Sequence, residues 1–204
     1  MVRSRRGFTL IEMLVVVGLI AMLAGLLFPA LSLLRNRQKR FSTIKLMSEL
    51  QVALDQYLAT YPMLGAAADG SDFAKDPYKF LYRDPVTDKK PMYIELRTVQ
   101  LAVGTAPGGP FTEPAVMKLG QHILDAWSVP NRANRLLWEI VNGPNPGAGG
   151  TKTYTDKVYI RSTAGTPNKT KDDIIMRMLV ADGRWEQKTW ADIQSDTPLP
   201  TFVN

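Results

Sequence analysis

Arg3-Ser-Arg-Arg-Gly-Phe-Thr-Leu-Ile-Glu12 opens an apolar run that continues to Leu34, and this stretch decides how the rest of the chain is read. Phe8 to Leu34 is 27 residues with one charge, Glu12, and basic residues bracket both ends. A helix of that length rises about 40 Å, more than the hydrocarbon core of a bilayer at about 30 Å. The run is long enough to span a membrane. A cleaved secretory signal competes, because Arg3, Arg5 and Arg6 form a basic leader. Against it, the run is about twice the usual signal core of roughly 7–15 residues and holds a carboxylate. Glu in hydrocarbon costs on the order of a few kcal/mol and calls for a partner. A cut between Gly7 and Phe8 would supply one. The new α-amine of Phe8 would sit four residues before Glu12 on one helix face, within reach of its own chain or a neighbour. An ion pair formed between chains neutralises two buried charges only on assembly, so it sets register more than stability.

Arg5-Arg-Gly-Phe-Thr-Leu-Ile-Glu12 resembles the prepilin processing motif of type IV pilins and type II secretion pseudopilins. The resemblance implies that a prepilin peptidase cuts after Gly7 and methylates the amine of Phe8, and that Glu12 contacts the amine of an adjacent subunit. It implies an α+β, pilin-like fold: a long N-terminal helix packed on a small antiparallel sheet. It also implies a single-pass protein of a bacterial inner membrane, with the leader in the cytoplasm and the C-terminal domain in the periplasm. The implied partners are further copies of the chain, sibling pilin-like subunits, an inner-membrane assembly platform and membrane lipid. Charge alone leaves orientation open. Arg3, Arg5, Arg6 and the amino terminus face Arg35, Arg37, Lys39, Arg40 and Lys45 across the span, a nearly even count.

The expected organisation is a leader at 1–7, a transmembrane helix at 8–34, an amphipathic continuation at 35–61 and a globular domain at 62–204. Gly18, Gly25 and Pro29 are the weak points of the span, and Pro29 predicts a kink or local melting near Gly25. Pro29 is also a candidate for filament packing, since pilins often carry a proline there. Beyond Leu34 the apolar positions Met47, Leu50, Leu54, Tyr57 and Tyr61 recur at helical spacing, with Lys45, Glu49, Gln51 and Asp55 between them. Pro62 then ends the helix. The simplest reading is one rod from about residue 9 to 61.

A net charge of +6 suggests a nucleic-acid partner, and the position of the charges removes it. Residues 1–45 hold eight Lys/Arg against one acid, and 46–204 hold 17 against 18. The excess belongs to the membrane flanks, and no basic face is implied on the domain. With no cysteine there is no disulfide, thiolate metal site or cysteine nucleophile. His122 is the only histidine, which excludes a His-paired zinc site, and no Gly-x-Ser-x-Gly accompanies it. Gly147-Ala-Gly-Gly-Thr-Lys-Thr153 fails as a phosphate loop because Thr151 separates the glycines from Lys152 and no helix follows. No enzymatic constellation and no cofactor are expected.

Residues 62–120 are dense in Gly, Pro, Asp and Lys, with a short helix expected at Tyr78–Tyr82 and a short strand at Met92–Leu96. Leu136–Val141, Lys157–Ser162 and Ile174–Val180 read as strands of an antiparallel sheet, and Asp182-Gly183 as a hairpin leading into Trp185–Trp190. Two segments resemble the major pseudopilin of type II secretion. Leu124-Asp-Ala-Trp127 with Pro130 is similar to its Asp-x-Trp-Gly-x-Pro, although Ser128 stands where Gly is usual and Leu136 or Leu137 replaces a following aromatic. Ser162-Thr-Ala-Gly165 with Asp172-Asp-Ile174 is similar to a loop that in that family can bind calcium. The resemblance thus names Ser162, Asp172 and Asp173 as calcium candidates. The aspartate that the family places after the glycine is missing, with Thr166 and Pro167 there and Asn168 a weak substitute. Read from the residues, Asp172 and Asp173 are loop and strand-cap positions. The competing functional reading is a membrane-anchored, exported binding domain or enzyme that never polymerises.

Overall fold

The computed structural model describes residues 9–61, 63–64, 71–82, 92–103, 122–129, 134–144, 153–165, 170–196, 200 and 202. Helix α1 runs unbroken from Leu10 to Thr60. It is followed by α2 (Ser71–Lys75), α3 (Pro77–Leu81), β1 (Leu101–Ala102), β2 (His122–Ile123), β3 (Leu137–Pro144), β4 (Thr153–Ser162), β5 (Ile174–Leu179), β6 (Arg184–Lys188) and α4 (Trp190–Ile193). Contacts divide the chain into two units, residues 1–39 and 40–204, with the boundary inside α1.

The first unit is bare. Its most apolar 18-residue window has no residue buried inside the protein, and Leu10 and Phe28 are 83% and 71% exposed. Among the described residues, α1 is the one helix long and apolar enough to cross a membrane. The expected melting near Gly25 does not occur, because α1 stays helical through Pro29. The proline removes a single amide from the ladder, the one that would reach the Gly25 carbonyl, and the flanking turns hold. Ser32 Oγ donates to the Pro29 carbonyl at 2.8 Å, so even the residue after the gap is tied in.

The second unit has a core built from two periodicities. On α1, Leu46, Met47, Leu50, Ala53, Leu54 and Tyr57 are buried, a stripe at the three-and-four spacing of one helix face. On the sheet, side chains alternate. Trp138, Ile140, Val158, Ile160, Ile174, Met176 and Met178 join the helix stripe in one cluster. Their neighbours Leu137, Tyr159 and Ile175 fall in a second cluster with Ile193 of α4 and Phe202. Successive strand residues point to opposite faces, so one strand serves both layers. The sheet is antiparallel in the order β3-β4-β5-β6, with a bulge between Val141 and Asn142.

Most expected elements are present, with four corrections. Met92–Leu96 is not a strand. Its Tyr93 amide donates to the Leu81 carbonyl and Leu96 to the Tyr78 hydroxyl, so it is pinned to α3 by single bonds rather than by a ladder. The two-stranded sheet that does form here pairs β1 with β2. The last strand stops at Lys188. Trp190 begins α4, because Thr189 and Asp192 form a capping box that turns the chain into helix. Between β5 and β6 the turn is four residues, Val180 to Gly183, rather than a two-residue hairpin. Gly183 takes a left-handed φ of 59° there, which suits glycine.

Candidate functional site

The sequence points to two places, the head of α1 and the loops around Asp125, and each is assembled differently. At the head of α1 everything is local. Thr9 donates to Glu12 Oε2 from its backbone amide at 2.8 Å and from its hydroxyl at 2.9 Å. The Glu12 amide donates back to Thr9 Oγ1 at 3.3 Å. This reciprocal arrangement satisfies amides at a helix start that have no intrahelical acceptor. The Thr-Leu-Ile-Glu part of the motif is therefore a cap as well as a tag. One oxygen of Glu12 accepts both bonds, and Glu12 makes no ion pair among the described residues. Gly7 and Phe8 lie outside the described residues. Pro29 lies within α1 on a stretch whose side chains are all exposed.

The second place collects segments far apart in sequence. Asp125, on the loop after β2, is 5% exposed. Its carboxylate accepts from Ser162 Oγ at the end of β4, from Asn134 Nδ2, and from the Trp127 amide at 2.9 Å. Asn134 Oδ1 accepts from the Thr163 hydroxyl at 2.7 Å. Ser128 Oγ accepts from the Asn134 amide and donates to the Asn134 carbonyl. The Ala126 amide donates to Thr43 Oγ1 of α1 at 3.3 Å, which ties the loop to the helix. Gly165, at φ 74°, packs on Trp127, where an added Cβ would lie 3.0 Å from Trp127 Cδ1. So Asp125-Ala-Trp127 and Ser162-Thr-Ala-Gly165, two separate resemblances in the sequence, are one hydrogen-bonded cluster. Burial pushes the Asp125 carboxyl up to about 6, against the pull of its Ser162, Trp127 and Asn134 donors. Pro130 lies outside the described residues.

The three calcium candidates do not converge through their side chains. Ser162 Oγ is directed at Asp125. Asp172 is exposed in the 3-10 turn Thr170–Asp172. Asp173 is buried, and its Oδ2 accepts from Arg161 Nε and Nη2, both at 2.8 Å. A guanidinium thus already neutralises this carboxylate, while its Oδ1 is buried with no hydrogen-bond partner among the described residues. Burial raises the Asp173 carboxyl and the Arg161 charge opposes the rise. No group of three or more His, Asp or Glu that could hold a metal occurs among the described residues. Thr166, Pro167 and Asn168 lie outside them. The lone histidine, His122, sits 3.2 Å from Arg135 Nη1, and burial first and then that cation lower it to about 4.

Sequence reading missed the residues that close these networks. Asn134, Arg161 and Thr43 carry no local signature, because their partners are 9 to 83 positions away. Missed too was the C-terminal cover of the sheet. Asp196 accepts from the Tyr159 hydroxyl at 2.9 Å and from Arg177 Nη1 at 2.7 Å, and the Arg161 guanidinium lies 4.6 Å from the Trp190 ring centroid.

No curated protein and no solved structure matches the chain. Residues 2–28 match the prokaryotic N-terminal methylation motif, so at its N-terminus this chain is similar to prepilin-type proteins, with the match ending one residue before Pro29.

Proposed function

We propose that this protein is a structural subunit of a pilus-like filament, a pseudopilin of a type II protein secretion system. In this reading the prepilin peptidase removes residues 1–7 and methylates the amine of Phe8. The mature chain waits in the inner membrane with its N-terminus cytoplasmic, and α1 then moves from lipid into a helical bundle with other subunits. Glu12 registers each arriving subunit against the amine of a neighbour. The observation that carries the reading is the coincidence of two things at one place. The methylation motif ends inside a helix whose most apolar 18-residue window is left uncovered by the described residues. A bare helix of this kind needs lipid or other helices around it, and a filament supplies the second.

Assignment to type II secretion rests on Asp125-Ala-Trp127 and Ser162-Thr-Ala-Gly165, whose contact in one cluster supports taking them as a single feature. Intact mass of the protein purified from membranes tests the processing step. Loss of residues 1–7 with one added methyl is expected. A chain that still begins at Met1, or one cut near Ala24, would overturn it. Gene neighbours encoding a secretin, an assembly ATPase and sibling pseudopilins are expected for the secretion assignment, and a pilus operon in their place would overturn that finer statement alone.

A further inference from the structure

The uncharged part of α1 ends abruptly. From Met13 to Leu34 there is no charge, and Arg35, Arg37, Lys39 and Arg40 then come within six residues. The uncharged segment rises about 33 Å, enough for the hydrocarbon core, and the basic segment a further 8 Å or so, about the depth of one headgroup layer. Arg35, Arg37 and Arg40 are exposed and Lys39 half-exposed. None of the four makes an ion pair among the described residues. The nearest acid after them, Glu49, is 3.8 Å from Lys45 instead.

Their placement around the helix says what they fit. At about 100° per residue, Arg37, Lys39 and Arg40 stand roughly 200°, 40° and 140° from Arg35. A protein docking on α1 would be met by cations on one side. Cations spread over more than half the circumference, at one level, fit a partner that surrounds the helix. A headgroup layer does that. Positive charge flanking a span also attracts anionic lipid over roughly a Debye length.

We propose that Arg35, Arg37, Lys39 and Arg40 form a collar that binds anionic phospholipid headgroups where α1 leaves the bilayer. The inference rests on the membrane-spanning reading of α1. It adds a step to assembly: the collar must release its lipids, or carry them along, when the subunit leaves the bilayer.

The test uses the full-length chain in nanodiscs of equal parts phosphatidylglycerol and phosphatidylcholine, with retained lipid read by native mass spectrometry. The wild-type chain is expected to retain phosphatidylglycerol over phosphatidylcholine by about tenfold. R35Q/R37Q/K39Q/R40Q is expected to lose most of that preference, and R35K/R37K/R40K to keep it, since the contact is to charge. Both variants keep the leader arginines, so any difference belongs to the collar. Equal retention of the two lipids by a carbonate-resistant wild-type chain overturns the collar alone. A wild-type chain stripped from vesicles by carbonate overturns the spanning reading and the collar with it. A glutamine variant that keeps the lipid preference but loses crosslinks to other subunits makes the four residues a protein contact, which also overturns the proposal.

Discussion

Residues 1–39 and 40–204 solve the problem of apolar surface in opposite ways. The second unit covers its own. Leu50 and Leu54 on α1, with Trp138, Val158 and Ile160 on the sheet, are at most 1% exposed. The first leaves Leu10, Leu19, Leu26 and Phe28 open, and its one acid is satisfied by Thr9 three residues away rather than by the fold. The difference teaches where each unit's stability comes from. The second is stable through its own burial, whereas the first needs surroundings that the described residues do not provide. Substitutions in one unit should therefore leave the other's property unchanged.

The sharpest way to break that separation is Glu12→Leu. It removes the single charge of the apolar run without touching the core. Insertion and leader removal should survive, and incorporation into filaments, read by crosslinking or pull-out, should fail. The melting temperature of the domain should not move. Crosslinking and pull-out behaviour that is the same in the variant and the wild type would argue for a plain membrane anchor, the competing reading of the sequence.

Next in size is Trp138→Ala. Trp138 is buried at the centre of the larger cluster and packs edge-on to Phe73 at 5.6 Å. Emptying that site should destabilise the domain by about 3–5 kcal/mol in urea unfolding. Membrane insertion of α1 should persist in whatever protein accumulates. A variant of unchanged stability would show that the sheet-and-helix core is wrongly placed.

Asp125 is the domain's counterpart to Glu12: a carboxylate removed from water and held by donors. Its donors come from other segments, so truncation leaves them stranded. Asp125→Ala should cost about 2–4 kcal/mol, since Ser162, Asn134 and the Trp127 amide would lose their acceptor inside the protein. The ionised form is also disfavoured by burial, which gives a signed pH effect. In the unfolded chain the group titrates near 3.9, and in the domain near 6. Between those values the domain holds a proton that the unfolded chain has lost. Its contribution is thus most favourable below about pH 4 and is lost as pH rises through 6. Wild-type domain should lose about 2–3 kcal/mol more than Asp125→Asn between pH 4 and 7. Parallel curves for the two proteins would show that Asp125 is open to water.

What the sequence disclosed follows the same division. Several features written in neighbouring residues were legible: the Thr9–Glu12 motif, the helical stripe from Met47 to Tyr57, the alternating strands. The burial stripe needed Thr43, Leu46 and Ala53 added, while its last expected member, Tyr61, is only half-buried just past the end of α1. Features that depend on distant partners were not legible. Met92–Leu96 has strand-like residues, yet a strand is defined by what pairs with it, and its bonds go to α3. Ser162 and Asp173 were named only through a resemblance, and their partners Asp125 and Arg161, 37 and 12 positions away, could not be read from the sequence.

One local signal was written twice and read as a helix cap in neither place. Thr9-Leu-Ile-Glu12 and Thr189-Trp-Ala-Asp192 form the same reciprocal cap, with hydroxyl-to-carboxylate distances of 2.9 and 2.7 Å. The first stands in a motif with a meaning of its own. The second was absorbed into a strand because Trp185 to Trp190 is rich in aromatic residues. The twin caps differ in what they hold: the first starts a 51-residue helix, the second a four-residue one. A helix of one turn has almost no ladder of its own, so its cap is a large share of what keeps it formed. Losing α4 would loosen the Trp190 and Ile193 side of the smaller cluster over Tyr159. Thr189→Ala should therefore lower the domain's melting temperature by about 2–4 °C. Thr9→Ala should leave that temperature unchanged, since α1 continues for many turns beyond its first and the domain packs on its far half. A shift of the same size in both variants would mean that the head of α1 and the domain melt together, and the division between the two units would fail.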